Sequence, residues 1–245
     1  MRSEAVMAAE PVERRDLGSG AQNVIPFPSA RAAARGPRGL GDLRFRALIG
    51  EAGWAALPEA VRARFGKRIE NCRTAIYTGE VVECRMSRAG RVLAQLARLI
   101  GGPLPLTRDV FVPATVCVAE DAAAAGQFWT RIYGRARGFP QVVHSSKRFA
   151  GPTGLEERIG AGFGIALRIE VAEGALHFVS DHYTLSIAGR RLRLPRWLEP
   201  GRLRVSHVDC GHGAFAFMLR LDHPRLGELV CQTAIFSDPP KGEGE

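Results

Sequence analysis

Residues 163–171 alternate strictly. Phe163, Ile165, Leu167, Ile169 and Val171 take every second place, with Arg168 and Glu170 among the residues between them. A period of two puts the five apolar residues on one face of an extended strand and the charges on the other. That is the pattern of a half-buried antiparallel strand, and it needs a second apolar face to cover it. Residues 127–133 repeat the device: Trp129, Arg131 and Tyr133 share one face, and Phe128, Thr130 and Ile132 the other. One face of this strand therefore carries a cation between two aromatic rings.

The same reading predicts nine or ten strands in all. They fall over 74–86, 109–118, 127–133, 141–149, 155–159, 163–171, 175–187, 203–209, 214–221 and 226–236, with 189–200 as a loop. Gly79 marks a bulge or a close approach of backbones. The alternation slips at 178–181, which predicts a bulge there. Residues 42–66 read as two short helices divided at Pro58. Residues 89–100 read as one amphipathic helix, capped by Ser87, with Val92, Leu93, Leu96, Leu99 and Ile100 as its apolar stripe. Short links make neighbouring strands antiparallel. The expected fold is α+β and mostly antiparallel: a strongly curved sheet or half-open β-barrel with one or two bracing helices. Residues 1–41 are rich in Ala, Arg, Gly, Pro and Ser and are expected to be a disordered tail. Residues 42–237 form the expected single β-rich domain, and 238–245 a polar tail.

The formal charge is +9. The first 42 residues hold six Arg and five acids, so eight of the nine excess charges belong to the rest. The bases are scattered rather than blocked, which describes a solvated basic surface, so nucleic acid is not expected as a partner. Five cysteines lie far apart, which excludes a disulfide framework as the organising device. No apolar run approaches the roughly 18 residues of a membrane helix. The first ten residues lack a signal-peptide core. A cytoplasmic protein is expected.

Several of these pieces resemble a known family. Leu57-Pro58, Tyr77-Thr78-Gly79, residues 96–104, Trp129-Thr130-Arg131, Leu155-Glu156-Glu157-Arg158, and Leu194-Pro195 with Leu198 are similar to the bacterial domain of unknown function 4166. The likeness runs from about Phe45 to Phe236. It implies an association with saccharopine-dehydrogenase-like or short-chain oxidoreductases. This chain has no dinucleotide fingerprint of its own: Gly160, Gly162 and Gly164 lead into a strand rather than a helix. No cofactor is expected.

Candidate chemistry gathers on the tryptophan–arginine face. If that face lines a cavity, Arg131 anchors an anion or carbonyl between Trp129 and Tyr133. Glu156 and Glu157 point to opposite sides of their strand, so only one can meet Arg131. That pair reads as a structural ion pair, a ligand anchor or an acid–base couple. His144 stands beside Ser145 and Ser146 as a further polar candidate. His207, Cys210 and His212 are the nearest thing to a ligand cluster, but their spacing is not that of a metal site. The expected function is binding of a small hydrophobic or lipid-like molecule, accessory to an oxidoreductase. The alternatives are an enzyme acting on a carbonyl-containing apolar metabolite, or a regulatory or scaffold module.

Overall fold

The computed structural model describes residues 42–67, 69 and 74–239. The expected tail over 1–41, most of the polar tail over 238–245, and Cys72 lie outside the described residues. Eleven strands follow in order: β1 Thr74–Met86, β2 Val112–Asp121, β3 Gly126–Tyr133, β4 Gln141–Arg148, β5 Leu155–Arg158, β6 Phe163–Ala172, β7 Ala175–Ile187, β8 Arg190–Arg193, β9 Arg202–Gly211, β10 Ala214–His223 and β11 Gly227–Ser237. Four α-helices accompany them: α1 Arg44–Ile49, α2 Glu51–Ala56, α3 Glu59–Phe65 and α4 Arg88–Ala97.

Ten strands close into an antiparallel barrel in the order β6-β5-β4-β3-β2-β1-β11-β10-β9-β7, with β6 pairing back onto β7. The barrel is closed, not half-open. The reason is the length of β7. One of its edges pairs with β6 from Ala175 to Leu185, while the other takes β9 along Leu176 to Val179. A closed ring leaves none of the ten with a free edge, the usual liability of a long sheet. The last residues of β7 extend past β9 and pair with β8, Thr184 opposite Arg193 and Ile187 opposite Arg190. β8 falls where a loop was expected. Its sequence, RRLR, has no apolar alternation to announce a strand, and all four residues are exposed.

The expected bulge is present: the β6–β7 register shifts between Ala166 and Leu167, leaving Asp181 as the extra residue. Gly79 is a close approach, since a Cβ there would lie 1.9 Å from the Ile235 carbonyl oxygen. Only glycine lets β1 and β11 meet there.

The helices close the two mouths rather than bracing the side. At one mouth, α1 and α3 send Phe45 and Phe65 inward. Their ring centroids are 5.2 Å apart, edge to face, and Phe45 also meets Phe149 at 4.9 Å. At the other, α4 starts with Gly90 against the Leu229 carbonyl of β11, and the turn after it ends against Ile159 and Gly160, just past β5. Those strands stand five places apart in the ring of ten, so the segment crosses the mouth.

Ser87 caps α4 as expected, its Oγ accepting from the Gly90 N–H at 3.0 Å. The face α4 buries is the reverse of the expected stripe. Gly90, Ala94 and Ala97 are buried, while Val92, Leu96 and Leu99 are exposed. Leu93 and Ile100 pack only partly against the core. Contact distance decides this. A Cβ at position 90 would sit 1.9 Å from the Leu229 oxygen, so only the small-residue face fits that close to β11.

Candidate ligand site inside the barrel

The site is built by three neighbouring strands. In the β3–β4 ladder, Gln127 lies opposite Lys147, Trp129 opposite Ser145 and Arg131 opposite Val143. In the β4–β5 ladder, Lys147 lies opposite Glu157. Directly opposed residues share a face, so Trp129, Arg131, Ser145, Lys147 and Glu157 all turn inward. Further round the barrel they face Phe178, Phe217, Gln232 and Phe236.

One carboxylate serves two cations here. Lys147 Nζ donates to Glu157 Oε2 at 2.8 Å, and Arg131 Nη2 lies 3.3 Å from Glu157 Oε1. Arg131 Nη2 also donates to Ser145 Oγ at 2.8 Å. Lys147 and Glu157 are almost wholly buried. Burial pushes the Glu157 carboxyl up, but Lys147 and Arg131 together outweigh it and hold its pKa down at about 2. Lys147 Nζ also stands 4.8 Å from the centre of a Trp129 ring and 5.1 Å from that of Phe178. Such cation–π contacts offset part of the desolvation cost. Burial, aided by the Arg131 guanidinium, lowers the Lys147 pKa against the pull of Glu157; with both cations protonated the group holds one positive charge more than Glu157 neutralises. The Nε of Arg131 is buried and has no hydrogen-bond partner.

Beside this group lies a cavity bounded by Trp129, Arg131, Tyr133, Lys147, Phe217 and Gln232, among others. Its volume is about 40 Å³. A second space of about 30 Å³ lies toward the α1–α3 mouth, beside Phe65, His207 and Phe215, and shares Val116, Trp129 and Phe217 with the first. Each is large enough for a few waters and far below the roughly 300 Å³ of a typical ligand pocket. The interior is mostly filled by aromatic side chains.

The sequence candidates separate clearly. Trp129, Arg131 and Tyr133 line the cavity, and Glu157 meets Arg131 beside it. Glu156 turns outward and pairs with Arg191. His144 is exposed on the outer face, where its Nδ1 is 3.0 Å from Thr130 Oγ1. Neither reaches Arg131, because each sits one residue from an inward position. His207 is buried inside, stacked on Phe215 at 4.7 Å, with Nδ1 unpartnered. Burial, aided by the nearby Arg64 guanidinium, lowers its pKa to about 3. Cys210 is exposed, with its thiol toward the Val208 carbonyl at 3.8 Å, and His212 occupies a turn at φ 51°. No three potential ligands converge on a metal position among the described residues.

Lys147 and Gln232 escaped the sequence reading. Lys147 was legible in principle: Val143, Ser145 and Lys147 alternate on one face of a strand adjoining the Arg131 face. A lone lysine in a polar strand reads as solvent-facing unless the ladder register is known.

One family model, the domain of unknown function DUF4166, matches residues 57–236. The chain belongs to this family. The match takes in every strand of the barrel, from β1 to nearly the end of β11, together with α3 and α4. It therefore covers the whole tryptophan–arginine group of this DUF4166 domain. No curated protein matches the chain, and no solved structure does.

Proposed function

We propose that the barrel interior binds a small apolar molecule through an anionic or carbonyl oxygen at Arg131. One observation carries this reading: the half-buried Arg131 and the buried Lys147 share a single carboxylate beside an aromatic-walled cavity, and the Arg131 Nε has no partner. A buried donor without an acceptor costs about 1–3 kcal/mol, which a ligand oxygen would recover. Trp129, Tyr133 and Phe217 supply the apolar walls. The present space fits only the head of such a molecule. A longer, lipid-like tail would require side chains such as Tyr133 or Phe217 to swing aside.

Binding is favoured over catalysis at this group. A carboxylate held near pKa 2 by two cations is a poor proton acceptor at neutral pH, so Glu157 does not qualify as a general base. In this reading the domain is accessory to an oxidoreductase, presenting a carbonyl compound or carboxylate to a separate hydride-transfer partner.

Native mass spectrometry after incubation with octanoate tests the reading. The expected result is a one-to-one complex with the wild type that is lost in Arg131→Met. Equal occupancy in both proteins would remove Arg131 from the role, and no complex in either would remove the site.

A further inference from the structure

The α4 mouth has a surface unlike the rest of the barrel. Its links are residues 87–111, 134–140, 159–162, 188–201 and 224–226, and they hold eleven arginines against two acids, Asp109 and Glu199. One of the arginines, Arg191, is taken up by Glu156. The same links carry ten exposed large apolar side chains. Phe139 is 89% exposed, Leu99 83%, Trp197 80% and Phe111 75%. Scattered surface hydrophobics need no explanation, but a concentration at one pole does. The described links at the α1–α3 mouth hold five bases and five acids, and two exposed large apolar residues, Leu43 and Leu48.

Two further details point the same way. α4 and the turn after it hold Val92, Leu96 and Leu99 away from the barrel while the small residues of α4 face the mouth. Phe111 takes φ 55°, a conformation that bulky residues seldom adopt, yet its ring gains little burial in return. Its N–H donates to the Val81 carbonyl, so the turn between α4 and β2 fixes the backbone and leaves the ring in water.

We infer that this pole docks on the surface of an anionic lipid bilayer. Arginines meet lipid phosphates, and each adds to the attraction of an anionic surface. Trp197 and Phe139 sit at the headgroup boundary, where aromatic rings concentrate. Val92, Leu96 and Leu99 enter the acyl edge as the apolar face of an interfacial helix does. The aliphatic character distinguishes a bilayer from nucleic acid, which would reward aromatic stacking but not exposed Leu and Val. The one-sided charge speaks against a second copy, whose identical pole would repel it. No helix among the described residues is long and apolar enough to cross a membrane, so this is attachment at the surface. The inference stands on the outer pole alone and does not depend on the ligand site.

Co-sedimentation of the full chain with vesicles tests it. Two compositions are compared: phosphatidylcholine alone, and phosphatidylcholine with about 30% phosphatidylglycerol. Binding is expected only to the anionic vesicles and is expected to weaken with salt. The double variants Trp197→Ser/Phe139→Ser and Arg135→Glu/Arg137→Glu are each expected to lower it about tenfold. These side chains lie on the surface, so circular dichroism and Tm are expected to stay at the wild-type values. Leu43→Ser/Arg46→Ala, at the opposite mouth, is expected to bind as the wild type does. The inference is overturned if neither vesicle binds, or if the opposite-mouth variant loses as much. It is also overturned if the two pole variants weaken binding to a DNA duplex, or abolish self-association, while leaving vesicle binding unchanged.

Discussion

At the α1–α3 mouth the helices push Phe45 and Phe65 into the barrel; at the α4 mouth the helix offers Gly90, Ala94 and Ala97 and keeps Val92 and Leu96 outside. Both arrangements close a ring of ten strands. The first does so in the ordinary way, by burying large apolar area. The second does so by close backbone approach, which leaves the apolar stripe unspent. The difference teaches that the apolar face of an amphipathic helix is not always its core face. Where a neighbouring carbonyl lies within contact of the helix, size decides the orientation before hydrophobicity does.

The contrast can be broken in stability measurements. The largest effect is expected from Phe45→Ala, which empties a fully buried aromatic position among Phe65, Phe149 and Phe178. A loss of about 3–5 kcal/mol by denaturant unfolding is expected. The same mouth also holds a pH dependence, centred on His207. Its folded pKa of about 3 lies below its ordinary value of 6.5. The unfolded chain thus binds the proton first, and stability falls as pH drops from 6.5 toward 3. Between pH 6.5 and about 4.5 this amounts to roughly 2–3 kcal/mol. His207→Phe is expected to flatten that stretch of the stability–pH curve. Below it, Glu157 contributes in the same direction: its stabilisation is complete above its ordinary value of 4.5 and is lost as pH falls toward about 2.

At the α4 mouth, Ala94→Leu adds apolar surface and is nevertheless expected to destabilise by about 2 kcal/mol, because position 94 is fully buried against the barrel. The smallest effect is expected from Leu99→Ser, which removes a leucine yet stays within about 0.5 kcal/mol of the wild type, since that side chain is already in water. If Leu99→Ser were the costlier of these two, α4 would be packed by its leucine face and the contrast would fail.

Period-two alternation made most of the barrel legible. It marked β6 and the inward face of β3 residue by residue, and the slip in β7 was visible as broken alternation before Asp181. Closure was not legible, because it depends on β7 pairing β6 along one edge and β9 along the other, and no local pattern encodes which strand takes an edge. β8 was missed for a related reason: four exposed residues, three of them arginines, leave no apolar period. The orientation of α4 was misread because hydrophobicity was visible and the distance to the Leu229 carbonyl was not. For the site, the shared face of Trp129, Arg131 and Tyr133 followed from alternation alone, and so did the division between Glu156 and Glu157. Choosing Glu157 over Glu156, and finding Lys147, required the registers of β3 with β4 and β4 with β5.

The central claim is that the positive charge at Arg131 and Lys147 is a seat for an anion. The most direct measurement is the pKa of the carboxyl group of bound ¹³C-labelled octanoate, followed by NMR across pH. Two cations facing that carboxylate would bring its pKa below the value in free solution. A bound carboxyl whose pKa is raised instead would mean an apolar surrounding without a cationic partner, and would contradict the account.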